Sequence, residues 1–141
     1  MAYETILIVE DDGILAAFLQ DTLNAFGYTA LQPVATGEEA IAKAAEQKPQ
    51  LVLMDIELAG EMNGITAAEH IQSASDIPII YLSGYSQYSL LQQAKVVAPY
   101  GYLVKPVPVE ELAAMIEMAL YKHILARRVR EDEERFRTIY E

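Results

Sequence analysis

The sequence contains no cysteine, which removes disulfides, thiol nucleophiles and cysteine-ligated zinc from consideration. It has two histidines, His70 and His123, far apart in the chain and outside any histidine motif. A histidine-rich metal centre or a Ser-His-Asp triad is hard to build from them, and both read as helix-surface residues. Positive charge is scarce too: 10 Lys and Arg stand against 21 Asp and Glu, a net charge of −11. Counterion release needs cations presented to phosphates, so nucleic acid is not an expected partner. The one dense basic cluster, Arg127, Arg128 and Arg130, runs straight into Glu131, Asp132, Glu133 and Glu134 and reads as a charged helix surface. No stretch approaches the roughly 18–20 apolar residues that span a bilayer, and the start has neither the cationic segment nor the apolar run of a leader. A soluble, cytoplasmic protein without membrane insertion is expected.

What is present suits one domain with a real core: 141 residues, 52% hydrophobic and 22% charged. Four runs, Ile6-Leu7-Ile8-Val9, Leu51-Val52-Leu53-Met54, residues 77–82 and Gly101-Tyr102-Leu103-Val104, are apolar on both alternating faces. Strands covered by helices on both sides have that pattern. A weaker run over 29–34 carries Pro33, which cannot donate to a ladder and belongs at a sheet edge.

Helical periods fill the gaps. Ile14, Leu15, Phe18, Leu19 and Leu23 form one stripe, with Gly27 as its C-terminal stop. Thr36 and Glu39 form a capping box, Ile65, Ala68 and Ile71 a third period, and residues 86–94 a short, weak fourth. Pro108 suits a first helical position, with Glu110 and Glu111 favourably placed on the dipole of a last helix. That helix meets no Gly or Pro from Tyr121 onward, so it is expected to run on as one long element. Five alternations of strand and helix predict a doubly wound α/β sheet with right-handed crossovers.

Ligands of such sheets bind beyond the carboxyl ends of the strands, and the chemically informative residues fall there. Glu10, Asp11 and Asp12 follow the first strand, Asp55 the third, Ser83 the fourth and Lys105 the fifth. Alone, the acidic triplet would read as a solvated turn and helix cap; its place after a buried strand, with Asp55 and Lys105 after two others, reverses that. Carboxylates gathered at one rim repel one another unless a cation sits among them. All-oxygen ligands favour Mg²⁺, which takes one or two carboxylates, waters and a phosphate oxygen. Asp11 and Asp55 supply the pair, Asp55 can also be the nucleophile, and Lys105 and the Ser83 hydroxyl can meet phosphoryl oxygens. Phosphoryl transfer asks mainly for that positioning and charge stabilisation.

The ordered set Glu10-Asp11, Asp55, Ser83-Gly84 and Gly101-Tyr102-Leu103-Val104-Lys105-Pro106 resembles the receiver domain of two-component response regulators over about residues 4–124. The resemblance implies a flavodoxin-like sheet of order 2-1-3-4-5, extended here by the long last helix. It implies that Asp55 is phosphorylated by a histidine kinase or a histidine phosphotransfer protein. It implies Mg²⁺ held by Asp11 and Asp55, with Glu10 acting through a water and Glu57 through its carbonyl. Ser83 and Lys105 would contact the phosphoryl group, Tyr102 would be the aromatic switch, Gly84 would keep the group accessible, and Lys105-Pro106 would be a cis peptide.

One stretch departs from the family pattern. The loop Ile56-Glu57-Leu58-Ala59-Gly60-Glu61-Met62-Asn63-Gly64 is one residue longer than usual and has Leu-Ala-Gly where a proline turn is customary, so a looser rim is expected. Glu57 and Tyr85, two positions after Asp55 and Ser83, flank the expected path of hydrolytic water and are expected to tune phosphoryl lifetime. Among nine tyrosines, Tyr81, Tyr85, Tyr88 and Tyr100 cluster near the fourth strand, where bridging core and solvent explains them without a partner.

The ending Glu133-Glu134-Arg135-Phe136-Arg137-Thr138-Ile139-Tyr140-Glu141 resembles the lead-in to a PAS domain. The expected division is a receiver over 1–124 and a helical linker over 125–141, leading into a linked PAS or kinase domain. A homodimer through this helix is a further expectation, although its heptads are irregular after Leu125. Two competing classes stay open. One is an aspartate-nucleophile, Mg²⁺-dependent phosphohydrolase of the haloacid dehalogenase type, with Glu57 in the acid-base position; its customary Asp pair after the first strand and its cap domain do not fit. The other is a non-phosphorylated interaction module of the same fold.

Overall fold

The computed structural model describes residues 4–84 and 100–140. In chain order they form β1 (Thr5–Val9), α1 (Gly13–Ala25), β2 (Thr29–Ala30), α2 (Gly37–Gln47), β3 (Leu51–Asp55), α3 (Gly64–Ala74), β4 (Ile79–Ser83), β5 (Tyr102–Val104) and α4 (Val109–Tyr140). The helix expected over 86–94 lies outside the described residues. All five strands are parallel, in the order β2-β1-β3-β4-β5.

Strand alternation divides the core in two. Leu7, Val9, Val52, Met54, Ile79 and Tyr81 face α2 and α3, meeting Ala40, Ala44, Ala68 and Ile71. Ile6, Ile8, Leu51, Leu53, Ile80 and Leu82 face α1 and α4, meeting Leu19, Leu23, Leu112 and Ile116. Each such side chain contributes about 1.5–3 kcal/mol by leaving water, set against chain entropy. Buried on both faces, these strands have no solvent side, which is why their sequences do not alternate.

Local signals set the helix ends. Asp12 caps α1, its Oδ1 accepting from the Ile14 and Leu15 N–H groups at 3.0 and 3.3 Å. Gly27, at φ +94°, ends that helix, with the Tyr28 N–H returning to the Leu23 carbonyl. Thr36 Oγ1 accepts from the Glu39 N–H at 3.2 Å and donates to Glu39 Oε1 at 3.0 Å. Asn63 caps α3 through the Thr66 N–H at 2.9 Å.

Three expectations need correcting. The α1 stripe is narrower than its period suggests: Leu19 and Leu23 are buried, but Ile14 is 85% and Phe18 46% exposed. The helix sits with Ala16, Leu19 and Leu23 on the sheet, and the two other apolar residues fall past the edge of that face. The edge strand is only Thr29–Ala30, followed by an isolated bridge between Val9 and Val34, because Pro33 interrupts the ladder. His123 is buried, its Nδ1 3.0 Å from the Tyr100 hydroxyl. A helix-surface reading saw only local polarity, whereas here a hydrogen bond offsets the cost of burial.

The last helix runs unbroken for 32 residues, as the absence of Gly and Pro predicts. Its part beyond the sheet is pinned by Arg130, which donates to Asp76 Oδ2 at 2.5 Å. No helix among the described residues is long and apolar enough to cross a membrane.

Candidate functional site

Because every strand points the same way, the residues that follow them meet at one edge. The register aligns Val9 with Met54, Asp55 with Leu82, and Ser83 with Val104, so Glu10, Asp55, Ser83 and Lys105 arrive side by side. The Lys105 N–H donates to the Ser83 carbonyl at 2.7 Å, and the Glu10 N–H to the Val34 carbonyl at 2.9 Å. The Lys105-Pro106 peptide is cis, as the resemblance implied.

One carboxylate oxygen from each of Glu10, Asp11 and Asp55 lies within 4.8 Å of the others. Glu10 and Asp55 are buried, whereas Asp11 faces solvent. The Lys105 ammonium stands 2.7 Å from Glu10 Oε1 and 3.1 Å from Asp55 Oδ2. Glu10 Oε1 lacks a well-directed hydrogen bond, so its contact with Lys105 is an ion pair of poor angle. Glu10 Oε2 accepts from the Asp12 N–H at 3.1 Å, and Asp55 Oδ1 from the Glu57 N–H at 3.3 Å.

The electrostatics follow from this crowding. Burial first, and then the Glu10 carboxylate, push the Asp55 carboxyl up to about 8, although Lys105 pulls the other way. For Lys105, burial opposes its charge, but the close Glu10 and Asp55 carboxylates outweigh that and raise it above the ordinary lysine value. The Lys105 ammonium thus touches two carboxyl groups of a cluster of three, Glu10 and Asp55 but not the exposed Asp11. A divalent cation with oxygen ligands is the species that satisfies such a donor set, so the residues present fit Mg²⁺.

Ser83 is fully buried, and its hydroxyl donates to the Gly84 carbonyl at 3.2 Å. Tyr102 is half-buried, packs on the α2/α3 core cluster and pairs in register with Tyr81. Glu57 is exposed beside the rim. Tyr85 and Tyr88 lie outside the described residues.

The long loop after Asp55 is fastened rather than loose. Leu58 belongs to the core cluster, Met62 packs against it, and Ala59 forms a parallel bridge to Thr36. Gly60 takes φ +89°, a left-handed turn that glycine makes without strain.

Gly64 was not singled out from sequence, yet it supports the acceptor directly. Its N–H donates to the Ile56 carbonyl at 2.7 Å, and a Cβ there would stand 2.0 Å from the Asp55 carbonyl oxygen. Its signal was an Asn-Gly pair opening a helix just past the acceptor loop, which only the close backbone approach turns into a requirement.

The fold, the acidic rim and the Lys105 ammonium define a receiver-type signalling module, and comparison with known proteins agrees. The Response regulator receiver domain family matches residues 6–117, so the chain belongs to that family of two-component signalling proteins. It is 35% identical to the Transcriptional regulatory protein PdtaR of Mycobacterium tuberculosis over 115 residues, 82% of this chain and 56% of that one. It is 31% identical to the Uncharacterized transcriptional regulatory protein YrkP of Bacillus subtilis over 136 residues, 96% of this chain and 57% of that one. The chain therefore spans about half the length of these curated relatives. Among solved structures, the signal receiver domain of a modulated diguanylate cyclase from Desulfovibrio desulfuricans G20 superposes with TM-score 0.82 at 37% identity, covering 89% of this chain and 99% of that one. The N-terminal domain of a response regulator/sensory box/GGDEF 3-domain protein from Carboxydothermus hydrogenoformans gives 0.79 at 35%, with 87% and 98% covered.

Proposed function

We propose that Asp55 accepts a phosphoryl group from the phosphohistidine of a histidine kinase or histidine phosphotransfer protein. The observation that carries this is the convergence of Glu10, Asp11 and Asp55 within 4.8 Å of one another, with the Lys105 ammonium against two of them, Glu10 and Asp55. An Asp55 carboxylate oxygen forms the new O–P bond as the donor's P–N bond breaks; the imidazole nitrogen keeps the electron pair and takes a proton. Lys105 binds one phosphoryl oxygen and holds charge that would otherwise repel the carboxylate. Glu10, Asp11, Asp55 and the Glu57 carbonyl would hold Mg²⁺, which supplies charge neutralisation and orientation when bound.

The response begins at Ser83. Its hydroxyl, now spent on Gly84, turns to donate to a phosphoryl oxygen, and Tyr102 moves inward against the core. Glu57 and Tyr85 set how readily water reaches the acyl phosphate. The shifted β4–β5 region biases a two-state equilibrium that a partner or linked domain reads. Residues 1–124 form the receiver, and 125–141 carry the change along α4 toward a following PAS or kinase domain, whether from one chain or from two paired helices. The sensory box that follows the receiver in the Carboxydothermus protein supports that arrangement.

Acetyl phosphate with Mg²⁺ tests the reading. One acid-labile phosphoryl group per chain, mapped to Asp55 by mass spectrometry and lost in Asp55→Asn, is expected. Multiple turnover of a small phosphomonoester would instead mark a phosphohydrolase, and no incorporation an interaction module.

A further inference from the structure

At the end of the sheet opposite Asp55, the structure forms a cavity of about 530 Å³ that is partly open to solvent, within the roughly 300–1,000 Å³ typical of small-molecule sites. It lies under the C-terminal turns of α2 and α3 and the lead-in residues of β1, β3 and β4. Its remaining wall is the part of α4 that runs past the sheet, contributing Leu120, His123, Ile124 and Arg127. That wall is held in place: Arg130 pairs with Asp76, and His123 Nε2 stands 3.6 Å from the same carboxylate.

The lining is two-sided in chemistry. Ile41, Ile71, Ile77, Leu120 and Ile124 supply hydrocarbon, while Lys48, His70 and Arg127 bring basic groups. Opposing them are Glu4 and Asp76, and Asp76 is already engaged by Arg130. With Asp76 paired to Arg130, two full cations, Lys48 and Arg127, face one carboxylate, Glu4, beside apolar surface, in a chain of net charge −11. Both histidines of the sequence, neither used at the phosphoacceptor, line it.

We propose that this cavity binds a small amphiphilic organic acid, its apolar body against the isoleucines and its carboxylate between Lys48 and Arg127. An organic amine would meet like charge at Lys48 and Arg127, whereas a carboxylate can pair with either of them. Because one wall is α4, an occupant braces the helix that leaves the domain. The site is independent of Asp55 and stands whether or not that residue accepts phosphate.

The test is amide NMR of the 141-residue chain titrated separately with octanoate, octanol and octylamine. Arg127→Glu and Ala74→Trp, both at exposed positions lining the cavity, serve as variants, with circular dichroism to certify folding. Octanoate is expected to shift signals around residues 41, 71 and 124 and leave those around Asp55 unmoved. Octanol and octylamine should bind at least tenfold more weakly, Arg127→Glu should weaken octanoate at least fivefold, and Ala74→Trp should abolish the shifts. Equal binding of the three probes, unchanged octanoate affinity in Arg127→Glu, or shifts confined to the Asp55 rim would overturn the proposal.

Discussion

Replacing Asp55 by Asn should make the metal-free protein more stable, which is not the usual result of altering a buried polar residue. Two like charges 4.8 Å apart repel by about 3.5 kcal/mol at an effective dielectric of ~20. Asp55 faces two such neighbours, Glu10 and Asp11. The Lys105 ammonium at 3.1 Å returns about 5 kcal/mol on the same scale, so repulsion exceeds attraction and burial adds to it. The amide keeps the side chain's size and can still accept from Lys105. At pH 8 and above, where Asp55 is ionised, a gain of about 2 kcal/mol is expected, a rise of roughly 5–10 °C in the melting temperature.

The pH dependence follows from the direction of the Asp55 shift. Its carboxyl is raised from 3.8 to about 8, so the stability contributed by its protonated form is complete below the unfolded value and is lost as pH rises through the folded one. The advantage of Asp55→Asn should therefore be small at pH 4 and grow towards pH 8. Mg²⁺ should reverse the order, stabilising the wild type by about 2.7 kcal/mol at a hundredfold excess over Kd and the variant far less. Differential scanning calorimetry from pH 4 to 8, with EDTA or Mg²⁺, measures all of this. A metal-free variant less stable than wild type at pH 8, or a gap that does not widen with pH, would refute the shared cradle.

Gly64→Ala should cost about 3 kcal/mol or more in urea unfolding, since a Cβ 2.0 Å from the Asp55 carbonyl oxygen forces backbone to move; a loss under 1 kcal/mol would show that the acceptor loop yields freely. Lys105→Ala should prevent Asp55 phosphorylation and destabilise the metal-free fold by about 2 kcal/mol, below the 3–5 typical of broken buried pairs because Lys105 is 24% exposed; retained labelling by acetyl phosphate would contradict its role. A Glu57→Ala, Tyr85→Ala double variant should change the dephosphorylation rate severalfold, and an unchanged half-life would remove both from the water path. Asp76→Ala, which frees Arg130 and His123, should speed tryptic cleavage at Arg127 and Arg130, and identical digestion would mean that the clamp does not hold α4.

The main lines of fold and site were legible because both depend on short-range pattern plus one topological rule. Runs apolar on both faces had to be central parallel strands, and parallel strands bring their carboxyl ends to a common edge, so Glu10, Asp11, Asp55, Ser83 and Lys105 could be named from their positions after strands alone. The capping box at Thr36 and the unbroken last helix were equally local. Tertiary structure alone decided the rest: that Ile14 and Phe18 miss the sheet, that His123 is buried beside Tyr100, that Gly64 supports Asp55, and that the far end of α4 walls a cavity. Each depends on a helix's rotation about its axis or on the approach of segments tens of residues apart. Sequence periodicity cannot supply those quantities, because it reports which residues share a face and not what that face meets.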